Sequence, residues 1–211
     1  MSLMVTAIVL VAIIIDQIIK LSVASHFAIG ESREVTSWFW LCYVENNGMA
    51  FGIEWFSKLA LTIFRLLAVG LLGWYTHTLI RKPETPTGYI ASIAFIIAGA
   101  LGNIIDCVFY GKLFGYAGWF YGRVIDMFYF PLIRNSAGEV LFFRPVFNFA
   151  DSCITCAVAV ILLFYLKQLN TDEKYIRPVR CALRLHFGSD RLPPKRNPAL
   201  VGDAGGAGGS A

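Results

Sequence analysis

Charged residues are scarce in this chain. Only 15% of its 211 residues are Asp, Glu, Lys or Arg, whereas 57% are hydrophobic. Because a soluble domain is typically about a quarter charged, this composition excludes an ordinary water-soluble enzyme and favours a membrane protein. The net charge is +4, and eight of the 18 Lys and Arg lie at or beyond Lys167, a pattern typical of a tail at a membrane surface. No basic-aromatic strip of the RNA-binding kind appears, so no nucleic-acid partner is expected.

The chain also lacks the motifs of several hydrolase classes. Its histidines, His26, His77 and His186, are scattered, and it has neither Gly-x-Ser-x-Gly nor His-Glu-x-x-His. The cysteines number five, and the closest pair, Cys153 and Cys156, falls inside an apolar run, where free cysteine usually packs as a small hydrophobe. We therefore expect no disulfide framework, no metal site and no cofactor.

Four long apolar segments predict an all-α integral membrane protein with four transmembrane helices. They span residues 3–24, 58–80, 89–110 and 148–169. Each has roughly the 20 residues needed to cross about 30 Å of hydrocarbon. A cleaved signal peptide is the alternative for the first segment, but its start is not basic, and Asp16 and Lys20 interrupt it. We expect a retained helix.

The connections suggest how the chain lies in the membrane. Alternation from Thr36 to Val44 predicts a small interfacial β-rich segment, and Asn46-Asn47-Gly48 is a turn signal. Four spans place both termini on one side, which the basic tail marks as cytoplasmic. We predict a membrane domain over residues 1–169, with periplasmic segments at 25–57 and 111–147. Residues 170–211 would form a basic cytoplasmic tail with a disordered Gly-rich end.

Polar residues in three of the four segments should lie at one depth, near the outer face. Asp16 and Lys20 lie late in the first span, and Asn103 and Asp106 lie late in the third. Asn148 and Asp151 lie early in the fourth. Within each pair the spacing is three or four residues, so each pair shares a helix face. These faces should point into the bundle.

Two carboxylates, Asp126 and Asp151, stand beside apolar sequence and could act together. A close pair tends to share one proton, so that one member draws a proton from water while the other donates to a carbonyl. Such a pair would hydrolyse a peptide without a metal. A proton-coupled carrier with Asp16, Asp106, Asp126 and Asp151 as a relay is the main alternative, although no internal repeat is visible.

Other residues have simpler interpretations. Asp16 would pair with Lys20, and Asn103 and Asp106 would serve as caps or interhelical hydrogen bonds. A third hypothesis is a non-catalytic scaffold that binds partner helices through the small residues from Gly99 to Gly102.

Five motifs occur in an order that resembles the lipoprotein signal peptidase (signal peptidase II) family of bacterial inner membranes. They are Asp16-Gln17-Ile18-Ile19-Lys20, Asn46-Asn47-Gly48-Met49-Ala50-Phe51, Gly99-Ala100-Leu101-Gly102-Asn103-Ile104-Ile105-Asp106, Val124-Ile125-Asp126 and Phe147-Asn148-Phe149-Ala150-Asp151-Ser152. The resemblance covers roughly Leu10 to Leu169 and leaves out the tail.

The resemblance implies an intramembrane aspartic endopeptidase. Such an enzyme removes the signal peptide from diacylglyceryl-modified prolipoproteins, cleaves before the lipidated cysteine, and is the target of globomycin-type inhibitors. It would be a multi-pass protein of the cytoplasmic membrane with its active site near the periplasmic face. The motifs match Asp126 and Asp151 to the catalytic pair. They match seven further residues to the substrate-binding or supporting set: Asp16, Lys20, Asn46, Gly48, Asn103, Asp106 and Asn148.

One departure stands out. The family usually has Arg after the acid that corresponds to Asp106, and here that residue is Cys107. Either another cation, for which Arg123 and Arg144 are the candidates, takes over its contacts, or those contacts are dispensable.

Overall fold

The computed structural model describes residues 1–47, 58–135, 140–142 and 145–171. Within those residues three helical stretches are long and apolar enough to cross a membrane: Ser2–His26, Lys58–Ile80 and Thr87–Leu113. The first two are helices α1 and α2. The third contains α3 (Thr87–Ile105), a π-helical turn (Asp106–Tyr110) and the short α4 (Gly111–Leu113). A multi-pass membrane protein is therefore confirmed.

The fourth predicted span is a shorter helix. Helix α5 runs from Phe149 to Phe164, and its 16 residues correspond to about 24 Å, less than the length of a typical span. Tyr165 then leaves the helical conformation, and α6 (Leu166–Thr171) follows. The count of four spans therefore stays a prediction. So does the division into a membrane domain and a tail, because residues 172–211 lie outside the described part.

Helix α3 is the central element: 11 of its 19 residues are buried, against four of 25 in α1 and three of 23 in α2. Glycines make this possible. A Cβ atom at Gly102 would lie 2.6 Å from an oxygen of Asp16 on α1, and one at Gly99 would collide with the Ala150 carbonyl of α5. Neighbouring helices thus occupy the small-residue face, so the scaffold hypothesis, which needed that face for partners, is wrong.

A cluster of buried apolar side chains ties the helices together where α2 ends and α3 begins. Its members are Leu79, Tyr89, Ile90, Ile93, Ile97 and Ile161. The Tyr75 and Tyr89 hydroxyls, 3.0 Å apart, add a polar contact. Because lipid is as apolar as these side chains, close packing rather than the hydrophobic effect must stabilise the cluster.

A small antiparallel sheet completes the fold, as the sequence predicted for residues 36–44. Its order is β1 (Ser32–Thr36), β2 (Phe39–Asn46) and β3 (Val124–Tyr129). Strand β3 was not predicted, although its β-branched and aromatic residues are a strand signal. In the register of β2 with β3, Val44 lies opposite Asp126 and Asn46 lies opposite Val124. This pairing brings Asn46 close to Asp126, which is 80 residues away in the sequence. A separate two-stranded sheet pairs β4 (Ile133–Arg134) with β5 (Val140–Phe142).

Candidate active site

A capping box at the start of α5 positions Asp151. Asn148 is the N-cap residue, and its side-chain oxygen accepts a hydrogen bond from the Asp151 main-chain N–H at 2.9 Å. In return, an Asp151 carboxylate oxygen accepts from the Asn148 main-chain N–H at 3.4 Å. The spacing of three residues, which we interpreted as a shared helix face, is thus the spacing of a cap. The cap fixes the carboxylate at the helix N-terminus.

Asp126 lies on β3, almost fully buried, and two amide groups hold its carboxylate. Asn46 Nδ2 donates to Oδ2 at 3.0 Å, and Asn148 Nδ2 donates to Oδ1 at 2.7 Å. Burial raises the pKa of Asp126 to about 7, and the negative charge of Asp151 acts in the same direction, although the amide hydrogen bonds oppose them. Asp126 can therefore hold a proton near neutral pH.

Asparagine side chains connect the two carboxylates. Asn103 Nδ2 donates to Asp151 Oδ1 at 2.8 Å, and Asn148 Nδ2 lies 3.1 Å from Asn103 Oδ1. The path from Asp126 through Asn148 and Asn103 to Asp151 therefore consists of hydrogen bonds between side chains. These hydrogen bonds bring the four side chains together, as the sequence led us to expect. Acids held in this way by neutral donors can share a proton.

Asp151 also borders a mostly apolar pocket of about 750 Å³ between α5 and the sheet. Its walls are aromatic on the sheet side and carry small side chains on the helix side. The lining residues are Phe39, Phe128, Phe130, Pro145, Phe147, Asp151, Ser152, Thr155 and Cys156. The pocket therefore combines an acid at its edge with apolar walls.

A second buried cluster lies behind the carboxylate pair. Lys20 Nζ lies 2.8 Å from Asp16 Oδ2 and 2.6 Å from Asp106 Oδ2, and all three side chains are at most 2% exposed. Asp16 thus pairs with Lys20, as the simple interpretation of the sequence expected, and Asp106 pairs with the same lysine. The other Asp16 oxygen accepts from the Ala150 main-chain N–H at 3.0 Å. The cluster therefore braces the first turn of α5.

Lys20 links the two clusters, because its ammonium group also donates to Asn103 Oδ1 at 2.9 Å. That contact orients the Asn103 amide so that its Nδ2 faces Asp151. Two further residues, which the sequence did not single out as site residues, belong to this network. Gln17 donates to Asp106 Oδ1 at 3.0 Å and accepts from the Tyr110 hydroxyl at 3.0 Å. The only sequence signal that could have marked Gln17 as a site residue is its position next to Asp16.

Three sequence expectations remain to be placed. Gly48 and Arg144 lie outside the described residues. Arg123 forms an ion pair with Glu45 at 2.6 Å, at an exposed position. Cys107, the residue that departs from the family pattern, is contacted by Arg65 of α2 instead. The Arg65 Nη1 atom lies 3.3 Å from Cys107 Sγ.

Comparison with known proteins decides the family. Residues 8–167 match the family model for signal peptidase (SPase) II. The chain belongs to the signal peptidase II family. It is similar to the lipoprotein signal peptidase of Porphyromonas gingivalis, with 42% identity over 185 residues, covering 76% of this chain and 82% of that protein. It is also similar to the lipoprotein signal peptidase of Amoebophilus asiaticus, with 36% identity over 174 residues, covering 73% and 74% of the two chains.

Two solved structures share the fold of this signal peptidase. A bacterial membrane enzyme determined by the in meso method at 2.3 Å resolution has a TM-score of 0.60 and 28% identity, with 79% of this chain and 90% of that chain covered. A 1.9 Å structure of the same description gives a TM-score of 0.59. Membership of the family makes the chain a membrane protease. The carrier hypothesis is therefore wrong, and the pairing of Asp16 and Asp106 with Lys20 is consistent with that result.

Proposed function

We propose that this signal peptidase is an aspartic endopeptidase that removes the signal peptide from diacylglyceryl-modified prolipoproteins, cleaving before the lipidated cysteine. The hydrogen-bonded path from Asp126 through Asn148 and Asn103 to Asp151 is the observation that carries the proposal. Two acids linked only through neutral amides, one of them at the edge of a cleft, are the arrangement that water activation requires.

The chemistry follows from one shared proton. The ionised member of the pair accepts a proton from a water molecule as its oxygen attacks the scissile carbonyl carbon. The protonated member donates to the carbonyl oxygen, so a tetrahedral diol forms with no net change in the charge of the pair. Collapse of the diol breaks the C–N bond, and a proton passes to the leaving amine. The two carboxylates therefore titrate as a coupled pair.

The substrate enters from the membrane in this proposal. An apolar pocket with Asp151 at its edge can accept the lipid-bearing end of the substrate laterally, while the peptide backbone crosses the carboxylates. Globomycin-type inhibitors would occupy the same cleft. No metal or cofactor takes part, because the two carboxylates supply the acid and the base.

The topology belongs to the same proposal. The enzyme would lie in the bacterial cytoplasmic membrane with four spans and both termini in the cytoplasm. The acids would then lie near the periplasmic face, where water can reach them and where lipid-modified precursors present their cleavage sites. Membrane lipid surrounds the helices and is the medium from which substrate arrives.

Cleavage of a lipid-modified prolipoprotein by the purified enzyme tests this proposal. We expect the wild type to release a product whose N-terminus is the lipidated cysteine, as determined by mass spectrometry. Asp126→Asn and Asp151→Asn should each reduce cleavage by at least about 10⁴-fold. Both variants should still bind the uncleaved substrate.

Glu84→Gln is the matched control, because Glu84 is an exposed acid in the connection between α2 and α3. It should cleave like the wild type. Near-normal cleavage by either aspartate variant would remove that acid from the catalytic pair. A well-folded wild type that cleaves no lipid-modified substrate would refute the proposed function as a whole.

A further inference from the structure

An arginine inside the membrane segment of α2 contacts the π-helical turn that follows α3. Arg65 is half-buried, and its Nη1 lies 3.3 Å from the thiol of Cys107, which is itself 1% exposed. Charged side chains within a span are costly and usually face a functional cavity. This guanidinium therefore needs an explanation beyond packing.

Within the described parts of the chain, Arg65 forms no ion pair. Asp106, the carboxylate next to Cys107 in sequence, is engaged elsewhere, since it pairs with Lys20. A guanidinium has five N–H donors, and a thiol is a weak acceptor that takes one of them. Among the described residues, Cys107 is the side-chain partner given for Arg65, which leaves most of its donors for other acceptors.

A second cation lies on the same face of α2. Lys58, Thr62 and Arg65 are spaced by four and three residues, so they follow one another along one side of the helix. Lys58 Nζ donates to Asn47 Oδ1 at 3.3 Å, and Thr62, which lies between the two cations in the sequence, is buried. The α2 cationic face, as we name these three residues, therefore runs from the end of β2 to the π-helical turn that follows α3.

This face borders the segments that hold the carboxylate pair. Asn47 follows Asn46, whose amide holds Asp126. Cys107 follows Asn103 by one helical turn, and Asn103 holds Asp151. The Cys107 carbonyl also accepts from the Gly122 N–H at 2.9 Å, where the chain turns towards β3 and Asp126. The cationic face thus contacts segments that adjoin residues holding both carboxylates, whereas the aromatic pocket borders Asp151.

We propose that Arg65 binds substrate, donating to main-chain carbonyl oxygens next to the scissile bond, with Cys107 holding its guanidinium in place. The inference deepens the proposed function and rests on it. A peptide stretched across the pair must leave water, and each carbonyl left without a donor in an apolar cleft is costly. The planar fork of arginine presents N–H donors in a fixed geometry to two acceptors, whereas lysine offers a point charge on a flexible stem.

The sequence offers an internal swap that tests the idea. In Arg65→Ala the guanidinium is absent. In Arg65→Ala/Cys107→Arg it is supplied instead from position 107, in the π-helical turn that contacts Arg65. Hydrogen bonds to charged groups are strong enough that losing one or two should raise KM about 10- to 100-fold, with kcat changed less than about threefold. The swap should recover most of the loss, and Arg65→Lys should give an intermediate KM.

Arg81→Ala is the matched control, because Arg81 is exposed just past the end of α2, 16 residues from Arg65. It should leave KM unchanged. A binding measurement with uncleaved lipid-modified substrate in the Asp126→Asn background should show the same loss of affinity for Arg65→Ala. That readout separates substrate contact from an effect on the chemical step.

Each other outcome overturns the inference. An Arg65→Ala enzyme with wild-type KM would show that the guanidinium does not touch substrate. A defect that appears in vesicles containing anionic phosphatidylglycerol but not in phospholipid-free detergent micelles would show that Arg65 binds a lipid phosphate instead. If Arg65→Ala does not fold, Arg65→Lys decides, and an unchanged KM there is again contrary. A wild type without any cleavage would instead refute the proposed function, so the two failures differ.

Discussion

Two buried aspartates in this signal peptidase differ in what holds them. Asp106 is fully buried and faces a lysine ammonium at 2.6 Å. Asp126 is 3% exposed and is held by the side-chain amides of Asn46 and Asn148. A nearby cation favours the ionised form of a carboxylate more strongly than neutral amide donors do. The first arrangement braces helices, and the second can carry out acid–base chemistry.

The comparison predicts its largest effect on stability at Lys20. Lys20→Met keeps the length of the side chain but leaves Asp16 and Asp106 buried without a cation, and breaking a buried ion pair in this way costs about 3–5 kcal/mol. We expect a large drop in the thermal midpoint in detergent. Lys112→Met, at an exposed position beyond the π-helical turn, should change stability by no more than about 0.5 kcal/mol. Equal midpoints for the two variants would show that the cluster is not a brace.

Asn148 allows its two roles, cap and bridge, to be separated. Asn148→Ala removes both, so stability should fall by about 1 kcal/mol and cleavage by about 10²-fold. Asn148→Ser retains a good N-cap but cannot reach Asp126. It should regain the stability and keep the loss of cleavage. Chemical denaturation and cleavage rates measured on the same preparations check this prediction, and recovery of both properties in the serine variant would contradict it.

The pH dependence of cleavage should report the shared proton. Burial holds the pKa of Asp126 at about 7, and the Asn46 hydrogen bond lowers it from a still higher value. Cleavage should therefore fall as pH rises above about 7, where the pair loses its proton. In Asn46→Ala the opposing hydrogen bond is gone, so the basic limb of kcat/KM should move to higher pH. A shift to lower pH would show that Asn46 stabilises the protonated acid instead.

The last prediction concerns the pH dependence of stability. Asp126 keeps its proton in the folded protein up to about pH 7 but releases it near 3.8 when unfolded. The folded state binds more protons between these values, so the wild type should lose stability as pH rises through this window. Asp126→Asn cannot titrate and should lack this component. Parallel slopes of thermal midpoint against pH for the two proteins would contradict the raised pKa.

The polar residues of the site could be predicted because they interrupt apolar sequence. A lysine or aspartate in a membrane segment is conspicuous, and the spacing of Asn103 from Asp106 predicts a shared face, whereas the same spacing of Asn148 from Asp151 is that of a cap. The family motifs then matched Asp126 and Asp151. The roles of these two acids stay proposals, but their proximity follows from the hydrogen bonds of the structure.

Other features could not be predicted from local pattern. Strand β3 was missed because its pairing partner, β2, lies about 80 residues earlier, and an isolated six-residue run does not reveal its partner. Arg65 was passed over because nothing in the sequence around it marks it as close to Cys107. Arg123, which was a candidate for that position, pairs with Glu45 across the sheet instead.

By itself the sequence determined the class of the protein, because the composition of a chain decides whether it partitions into lipid and because motif order identifies a family. It also determined which side chains could ionise near apolar surroundings. Only the tertiary structure decided which acid obtains a cation and which obtains amides. That choice depends on atoms that meet across long sequence separations, Lys20 with Asp106 and Asn148 with Asp126, and hydrogen-bond distances of about 3 Å are set by packing rather than by local sequence.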